Sequence, residues 1–365
     1  MRILVTGGAG FVGSNLALRL KRLPSTDVCA FDNLRRRGSE LALPRLRDGG
    51  VEFVHGDVRV PSDLSDVGPF DLLLECSAEP SVQAGYGGSP SYVLDTNLQG
   101  TIHCLEAART HRADVIFLST SRVYPIKGLR ELPLVREGDR FDLPVHASGT
   151  GWSHRGISSD FPLGGHRSMY GATKLASELL VEEYRAMYGL RAVVNRCGVI
   201  SGPWQMGKVD QGFVVLWAAR HLFGGRLRYS GFGGHGLQVR DVLHVEDLWE
   251  LILTEMHNLP ACDGQVFNVG GGRERSVSLL ELTGMCQERS GRQIEIAGDP
   301  ETNPADVPYY VTDNTQIAAA AAWVPRRNME MLLEDIFSWL RREQAYLEPI
   351  LGGPTTPASA LPGKS

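Results

Sequence analysis

The chain has 365 residues, enough to bury a large core in one long or two coupled domains. Its formal net charge is −5, so the surface as a whole offers no basic face to nucleic acid, and the Arg35–Arg37 and Arg326–Arg327 clusters are too short to change that. The six cysteines lack metal-type or paired spacing, no apolar run is long enough to cross a membrane, and the chain opens on a core-like strand; we expect a cytoplasmic protein with no membrane, nucleic-acid or metal partner.

The first predicted element is a buried strand over Arg2–Thr6, and a glycine-spaced turn, GGAGFVG, follows it at Gly7–Gly13. A helix is predicted directly afterwards, over Phe11–Leu23. A strand before and a helix after is the context in which such glycines bind a dinucleotide. The first glycine allows the tight turn, the second lets the backbone approach the pyrophosphate, and the third lets the helix pack on the sheet. The alternative is a tight turn in some other α/β protein.

The second predicted strand, Asp27–Phe31, leads into Asp32, an acid about 20 residues after the last glycine of the turn. An acid at that distance usually accepts hydrogen bonds from the adenosine ribose, which favours NAD because a carboxylate repels the 2′-phosphate of NADP. The arginines at 35, 36 and 37 leave NADP open, since such a cluster could hold that phosphate, and a solvated loop is a third interpretation. A third strand, Val51–His55, precedes Asp57, which is placed to reach the adenine amine.

Further buried strands are predicted over Phe70–Glu75, Ala113–Leu118 and Arg191–Arg196. Strands therefore alternate with helices, such as one over Tyr92–Arg109, as in a doubly wound parallel sheet with right-handed crossovers. Ligands of such sheets lie outside the carboxyl ends of the strands. We accordingly expect the segment after the fourth strand at the cofactor edge and the hydroxyl of Thr120 at the substrate oxygen. For Ser119, which precedes it, a role in capping the turn is an equal alternative.

The string YGATK at Tyr170–Lys174 carries the chemistry. Positions i and i+4 of a helix share one face, and Ser168 is placed to cap that helix. A phenol has an ordinary pKa near 10, but a neighbouring ammonium and a nicotinamide cation both favour the phenolate. We therefore expect the pKa of Tyr170 to fall toward the working range that a general base requires. A tyrosine and a lysine that merely cover the surface of a helix are the alternative for this pair alone.

The remaining segments define the predicted domains. Residues 1–198 are predicted to form the dinucleotide-binding domain, with 241–270 returning to it, and 199–240 with 271–345 to form a smaller substrate domain. The long Leu129–His166 segment is predicted to be a lid or a partner-contact insertion, and its histidines are interpreted as unrelated loop residues. Helices are expected over Ser278–Gly291 and Asn328–Tyr346, and a disordered tail over 351–365.

With these motifs the chain resembles the extended short-chain dehydrogenase/reductase family, the nucleotide-sugar epimerases and dehydratases. The matching strings are TGGAGFVGSNL at the start, FDNL at Phe31–Leu34, GDVR at Gly56–Arg59, YGATK, and NVGGG at Asn268–Gly272. Within the family the chain resembles the CDP-paratose (CDP-tyvelose) 2-epimerases, through VDQG at 209–212, QVRDVLH at Gln238–His244, and FDNLRRRG from Phe31. The resemblance covers residues 1 to about 342.

The resemblance implies an NAD-dependent epimerase of a nucleotide-activated sugar, with a Rossmann domain, a smaller C-terminal α/β substrate domain and a homodimer formed by the helices over Tyr92–Arg109 and Tyr170–Tyr188. It implies the catalytic residues Thr120, Tyr170 and Lys174 and the substrate-binding residues Glu79, Thr120, Gln211 and Arg240. The cofactor-binding residues expected from the motifs and the resemblance together are Gly7, Gly10, Phe11, Val12, Gly13, Asp32, Asn33, Arg35, Asp57, Val58, Cys76, Ser77, Ala78, Ser119, Tyr170, Lys174 and Cys197.

Several positions depart from the family pattern. Ser121-Arg122 stands where the dehydratases have Asp-Glu after the catalytic threonine, so dehydration is disfavoured. Val199 and Asn303 stand where relatives have an Asn and an Arg that contact the diphosphate, whereas Arg240 keeps its place and suits bidentate phosphate contact. Lys208, Gln205 and Arg220 are candidate substitutes, and an unusual sugar carrier is the other interpretation.

Two other functions stay open on the sequence. One is a 4-epimerase or a net sugar oxidoreductase of the same family. The other, from a different class, is a non-catalytic NAD-sensing protein, which would have no need of a tuned phenol.

Overall fold

The computed structural model describes residues 1–208 and 211–353, and its centre is a 7-stranded sheet in which each pair of neighbouring strands is parallel. The strands are β1 (Arg2–Thr6), β2 (Asp27–Asp32), β3 (Glu52–His55), β4 (Leu72–Glu75), β5 (Asp114–Thr120), β6 (Ala192–Cys197) and β7 (Val266–Val269). Their order across the sheet is β7-β6-β5-β4-β1-β2-β3, so strands are added on one side of β1 up to β3 and on its other side from β4 onward. A crevice opens at such a reversal of strand order, outside the carboxyl ends of the strands.

Helices cover both faces of this sheet because its strands are apolar on both sides. On β1, Ile3 and Val5 belong to one buried cluster and Leu4 to another, as expected when successive side chains point to opposite faces. The α-helices are Phe11–Leu20, Ala42–Asp48, Pro61–Ser65, Ser91–Leu94, Gly100–His111, Ile126–Arg130, Met169–Tyr188, Phe213–Phe223, Val245–His257, Leu259–Cys262, Leu279–Ser290, Thr315–Ala321, Met329–Arg342 and Gln344–Leu351.

A second, smaller layer is built around the strand Val239–His244. It pairs in parallel with Val199–Ser201 and Tyr309–Tyr310 and antiparallel with Ser276–Ser278. A separate parallel pair joins Leu227–Ser230 to Ile296–Asp299. The helices around these strands share their own apolar cluster, which includes Trp217, Leu333, Phe337 and Trp339.

The Leu129–His166 segment contains regular structure that the sequence did not predict. Its short strands are Val135–Glu137, Arg140–Asp142, Ser148–Gly149, Trp152–Ser153 and Gly156–Ile157. Asp142 is buried and accepts two hydrogen bonds from the guanidinium of Arg273, at 2.6 and 2.8 Å. This ion pair attaches the segment to the smaller layer. Its two residues are 131 positions apart, so no local sequence pattern could have predicted it.

Two predicted helices are divided. The one expected over Tyr92–Arg109 consists of Ser91–Leu94, a π-helical turn at Asp95–Gln99, and Gly100–His111. The one expected over Asn328–Tyr346 ends at Arg342, and a further helix runs from Gln344 to Leu351, the first residue of the predicted tail. Residues 354–365 of that tail lie outside the described residues, and within residues 1–208 and 211–353 no helix is both long and apolar enough to span a bilayer.

Candidate active site

One cleft of about 1480 Å³ runs from the carboxyl ends of β1 and β4 to the smaller layer. Almost every residue that the sequence proposed for the site lines it. The lining includes Gly7, Gly10, Phe11, Val12, Gly13, Asp32, Asn33, Arg35, Val58, Cys76, Ser77, Ala78, Glu79, Ser119, Thr120, Tyr170, Lys174, Cys197, Gln211 and Arg240. Of the proposed residues only Asp57 is missing from this wall, as far as the described residues show.

The glycine turn forms the floor of one end. Gly7 has φ +64°, and a Cβ there would lie 2.8 Å from the carbonyl oxygen of Cys76, the residue after β4. A Cβ on Gly13 would lie 2.2 Å from the carbonyl oxygen of Gly7, so the helix could not approach the turn. The helix Phe11–Leu20 begins at Gly10 without a side-chain cap, which leaves N–H groups of its first turn for a ligand. This cradle fits a pyrophosphate, the central group of a dinucleotide.

The acid predicted for the ribose lies beside that cradle. Asp32 ends β2, and its carboxylate accepts hydrogen bonds from the backbone N–H groups of Ala9 (3.1 Å) and Leu34 (2.7 Å). Burial raises the pKa of Asp32 above its ordinary value, and those N–H groups oppose the shift. The carboxylate is therefore fixed at the edge of the cleft with lone pairs to spare for a hydroxyl donor.

Two of the three arginines after Asp32, Arg35 and Arg36, contact other side chains or backbone of the protein. The Arg35 guanidinium stacks over the ring of Tyr92, 3.9 Å from its centroid. Arg36 donates to the carbonyl of Met206 at 3.1 Å and to the side chain of Gln211. The cluster thus connects the cofactor end of the cleft to the smaller layer.

The prediction that Asp57 reaches the adenine amine stays a prediction, and the carboxylate already has partners within the protein. Arg59 donates to its carboxylate at 2.6 Å and Asn33 at 2.9 Å. Although burial opposes it, these hydrogen bonds lower the pKa of Asp57 to about 2. The backbone neighbour Val58 lines the cleft instead.

The three candidate catalytic residues converge halfway along the cleft. Thr120 is the last residue of β5, and Tyr170 and Lys174 lie in the first turns of the helix Met169–Tyr188. That helix begins where predicted, because the hydroxyl of Ser168 accepts a hydrogen bond from the N–H of Gly171 at 3.2 Å. The helix start packs so closely that a Cβ on Gly171 would lie 2.1 Å from the carbonyl oxygen of Arg122.

The expected fall in the pKa of Tyr170 is not found in the protein alone. Burial raises the pKa of the phenol above its ordinary value. The ammonium of Lys174, a hydrogen bond from Thr120 and the charge of Arg122 all lower it, but burial outweighs them. The sequence could place the cation but not the desolvation, which depends on every side chain that excludes water from the ring.

Lys174 has a partner that the sequence reasoning missed. Its Nζ lies 3.3 Å from Oε2 of Glu75 at the end of β4, and the two side chains are only 2% and 1% exposed. The hydroxyl of Ser77 donates to the other carboxylate oxygen, and the ammonium lies over the ring of Phe117. The available signal was an acid closing the otherwise apolar strand LLLE. A buried charge of this kind is rarely present without a partner.

At the other end of the cleft the contacts come from the smaller layer. Arg240 donates from Nη2 to Asp306 Oδ1 and to the carbonyl of Val307, both at 2.7 Å. Burial lowers the pKa of Arg240 to about 10, and the Asp306 carboxylate opposes that shift. Gln205 accepts a hydrogen bond from the hydroxyl of Ser201 and donates one to the carbonyl of Ile200, both at 2.9 Å, so these contacts use one of its two N–H donors.

Two further cations line this end of the cleft. The Nε and Nη1 atoms of Arg220 are buried without a hydrogen-bond partner in the part of the chain that the structure describes. Lys208 also lines the cleft, next to Val209 and Asp210 of the VDQG string, which lie outside the described residues. Val199 and Asn303, the departures from the family pattern, line the same end.

Comparison with known proteins agrees with this geometry. Residues 3–270 match the family model described as the NAD dependent epimerase/dehydratase family. The chain is similar to a CDP-paratose 2-epimerase of Salmonella typhi, 29% identical over 93% of this chain and 99% of the relative. It is also similar to a dTDP-glucose 4,6-dehydratase of Streptomyces niveus, 29% identical over 96% of each chain.

Among solved structures, the UDP-glucose 4-epimerase of Thermus thermophilus in complex with NAD has a TM-score of 0.72 and 26% identity, over 93% of this chain and 99% of the other. The family model covers well over half of the chain, and the glycine cradle and Asp32 fit the dinucleotide that the family is named for. The chain therefore belongs to the NAD dependent epimerase/dehydratase family, and NAD is its cofactor.

Proposed function

We propose that this protein is an NAD-dependent epimerase of a nucleotide-activated sugar, acting like a CDP-paratose 2-epimerase on one hydroxyl-bearing carbon. The observation that carries the proposal is the meeting of Thr120, Tyr170 and Lys174 in one cleft with the glycine cradle. A cavity of 1480 Å³ exceeds the roughly 300–1,000 Å³ of an ordinary small-molecule pocket, as expected where a dinucleotide and a nucleotide sugar bind together.

Tyr170, Thr120 and Lys174 have different roles in the proposed reaction. Tyr170 accepts the proton of the sugar hydroxyl and returns it after inversion, acting as general base and then as general acid. Thr120, hydrogen-bonded to the phenol, orients the same oxygen, and the ammonium of Lys174 favours the phenolate. NAD held by the glycine cradle and Asp32 would supply the hydride acceptor and donor, and return of the hydride to the opposite face of the resulting ketone would invert the carbon without net oxidation. Because burial raises the pKa of Tyr170, the charges of Lys174 and of the nicotinamide cation are needed to lower that pKa before the phenol can act as a base near neutral pH.

Epimerisation is favoured over dehydration by the two residues directly after Thr120. The elimination of water needs acidic groups beside the sugar, and the dehydratase pattern supplies them as Asp-Glu. Here Ser121 and Arg122 occupy that place and line the cleft. Relatives of both kinds are equally similar in overall identity, so this local difference carries the choice.

The test is a panel of CDP, UDP, dTDP and GDP sugars incubated with the NAD-loaded protein and followed by NMR and mass spectrometry. We expect one sugar to convert to an isomer of equal mass without accumulation of NADH. Loss of water would show a dehydratase, stoichiometric NADH would show a net oxidoreductase, and inversion at C4 would show a 4-epimerase. A protein whose NAD-linked function survives Tyr170→Phe unchanged would be a sensor.

We also propose a homodimer, formed by the helices at Gly100–His111 and Met169–Tyr188. The second helix exposes Leu179 (65%) and Met187 (66%), which a partner helix would cover. A monomeric mass in solution at micromolar concentration would contradict this proposal. The division into a dinucleotide-binding domain (1–198 with 241–270) and a substrate domain (199–240 with 271–345), and the cytoplasmic location, remain predictions.

A further inference from the structure

Two guanidinium groups at the sugar end of the cleft share a single carboxylate oxygen. Arg240 lies 2.7 Å from Asp306 Oδ1, and Nη2 of Arg122 lies 4.0 Å from the same oxygen. That oxygen also accepts the backbone N–H of Val307 at 2.8 Å. The three charged groups together therefore carry one uncompensated positive charge, directed at the cleft that both arginines line.

Arg122 is the less engaged of the two arginines. Among the described residues, its guanidinium makes one hydrogen bond, from Nη1 to the carbonyl of Ala305 at 3.3 Å, beside the long ion pair. A guanidinium has five N–H donors in a planar fork, so Arg122 keeps most of its capacity for an anionic ligand. Its side chain is 24% exposed, against 12% for Arg240.

The backbone places Arg122 next to the reacting groups. Its N–H donates to Oγ1 of Thr120 at 3.2 Å, and its carbonyl oxygen packs against Gly171, the residue after Tyr170. The positive charge of Arg122 is felt by both Tyr170 and Arg240, because it contributes to lowering the pKa of each of these groups. Arg122 thus lies between the candidate base and the arginine that keeps the family's phosphate-binding place.

We propose that Arg122 and Arg240 bind the diphosphate of the nucleotide sugar together, with Arg122 on the phosphate that carries the sugar, and that this contact presents C2 of the sugar to Tyr170. The inference rests on the proposed function. In a sugar nucleotide the phosphate is attached through C1, so C2 is the adjacent carbon and C4 lies across the ring. A phosphate held by the residue that contacts both Thr120 and the start of the Tyr170 helix is close to the reacting hydroxyl when that hydroxyl is on C2. Arginine suits this contact because its fork matches two phosphate oxygens.

A carboxylate on the sugar ring is a second kind of anion that the two arginines could bind in place of the phosphate. The experiment therefore compares ligands that contain one of these anions and not the other. Calorimetry on the full-length, NAD-loaded protein measures CDP, UDP, dTDP and GDP against their monophosphates, and UDP-glucuronate against UDP-glucose.

The central variant is Arg122→Gln, with Arg122→Lys as the conservative partner. The matched control is Arg130→Gln. Arg130 donates to the carbonyls of Asn303, Pro304 and Asp306 at 2.8 to 3.2 Å, so it holds the same loop from outside the cleft.

We expect Arg122→Gln to weaken the binding of the preferred nucleoside diphosphate about tenfold or more and its monophosphate by less than about twofold, since a hydrogen bond to a charged group is lost in the first case alone. Arg122→Lys should lie between wild type and Arg122→Gln, and Arg130→Gln should match wild type. An equal loss in Arg130→Gln would assign Arg122 to loop support and overturn the proposal. A loss confined to UDP-glucuronate would do the same in favour of a sugar carboxylate.

The carbon is tested with deoxy analogues of whichever nucleotide sugar the protein converts. The 4-deoxy analogue should still be epimerised and the 2-deoxy analogue should not, whereas the opposite result would overturn the assignment of C2. If the wild type converts a sugar but Arg122→Gln binds its diphosphate unchanged, the Arg122 inference alone fails. If the wild type binds none of the four diphosphates, the proposed function fails and takes this inference with it.

Discussion

The two ends of the cleft are built in different ways. The cofactor end is made largely of backbone: a glycine turn, the start of a helix, and Asp32 fixed by two N–H groups. The sugar end is made of long side chains from distant segments, with Arg122, Arg240 and Asp306 sharing one contact. A backbone cradle admits little variation, whereas side-chain contacts can be exchanged without changing the fold. This explains why the cofactor end follows the family pattern while the sugar end departs from it at Val199 and Asn303.

The largest effect is expected where the two ends meet, at Tyr170. Tyr170→Phe removes the proton acceptor, and general acid–base catalysis is typically worth about 10²–10⁴ in rate, so kcat should fall by that factor. The affinity for NAD, measured by calorimetry, should stay close to wild type because the ring remains. A variant that keeps more than about a tenth of the wild-type kcat would remove Tyr170 from the reaction.

A side chain added to the cradle should damage the cofactor end. Gly13→Ala would place a Cβ 2.2 Å from the carbonyl oxygen of Gly7, and overpacking of this kind costs about 1–3 kcal/mol. We expect weaker NAD binding and a lower melting temperature. Gly88→Ala is the matched control, since a Cβ there meets nothing within 4 Å. Equal affinities for NAD in both variants would contradict the account of the cradle.

Loss of Arg240 should affect the sugar end alone. Arg240→Gln removes a charged hydrogen-bond donor, so KM for the nucleotide sugar should rise by about tenfold or more while the Kd for NAD is unchanged. Arg155→Gln removes another arginine that pairs with a single aspartate, Asp313, but lies outside the cleft wall, and it should behave like wild type. A parallel loss of NAD affinity in Arg240→Gln would show that the two ends are not separable.

The smallest effect on catalysis concerns Glu75, the last residue of β4. Its carboxylate opposes the charge of Lys174, so Glu75→Gln leaves that charge uncompensated and favours the phenolate of Tyr170. A base with a lower pKa is available at lower pH. The acid limb of the pH profile of kcat/KM should therefore move to lower pH, measured at saturating NAD. Glu106→Gln, which removes a carboxylate paired with Arg109 outside the cleft, should leave the profile in place. Movement of the limb to higher pH would contradict the assigned sign.

The contrast between the ends also explains what the sequence could predict. The glycine turn, the Ser168 cap and the spacing of Tyr170 and Lys174 are local patterns, and local patterns fix backbone direction and helix faces. Six of the seven strands of the parallel sheet were predicted within one or two residues because both of their faces are apolar, whereas no strand was predicted over Val266–Val269.

What the sequence could not supply depends on contacts between distant residues. The hydrogen bond that Asn33 donates to Asp57 joins residues 24 positions apart and appears only in the folded structure. Glu75 was overlooked because its partner lies 99 positions away along the chain. Arg122 was noted as a departure from the pattern, but its sharing of Asp306 with Arg240 appears only once the smaller layer is in place. The raised pKa of Tyr170 likewise results from total burial.

The contact between Glu75 and Lys174 has a consequence for durability. Breaking a buried ion pair by removing one partner typically destabilises a protein by about 3–5 kcal/mol. Glu75→Gln, which makes the phenol of Tyr170 a more available base, therefore also removes a buried ion pair between β4 and the helix Met169–Tyr188. At Glu75, activity at low pH and thermal stability therefore change in opposite directions. A variant selected for higher activity at low pH should lose part of its thermal stability.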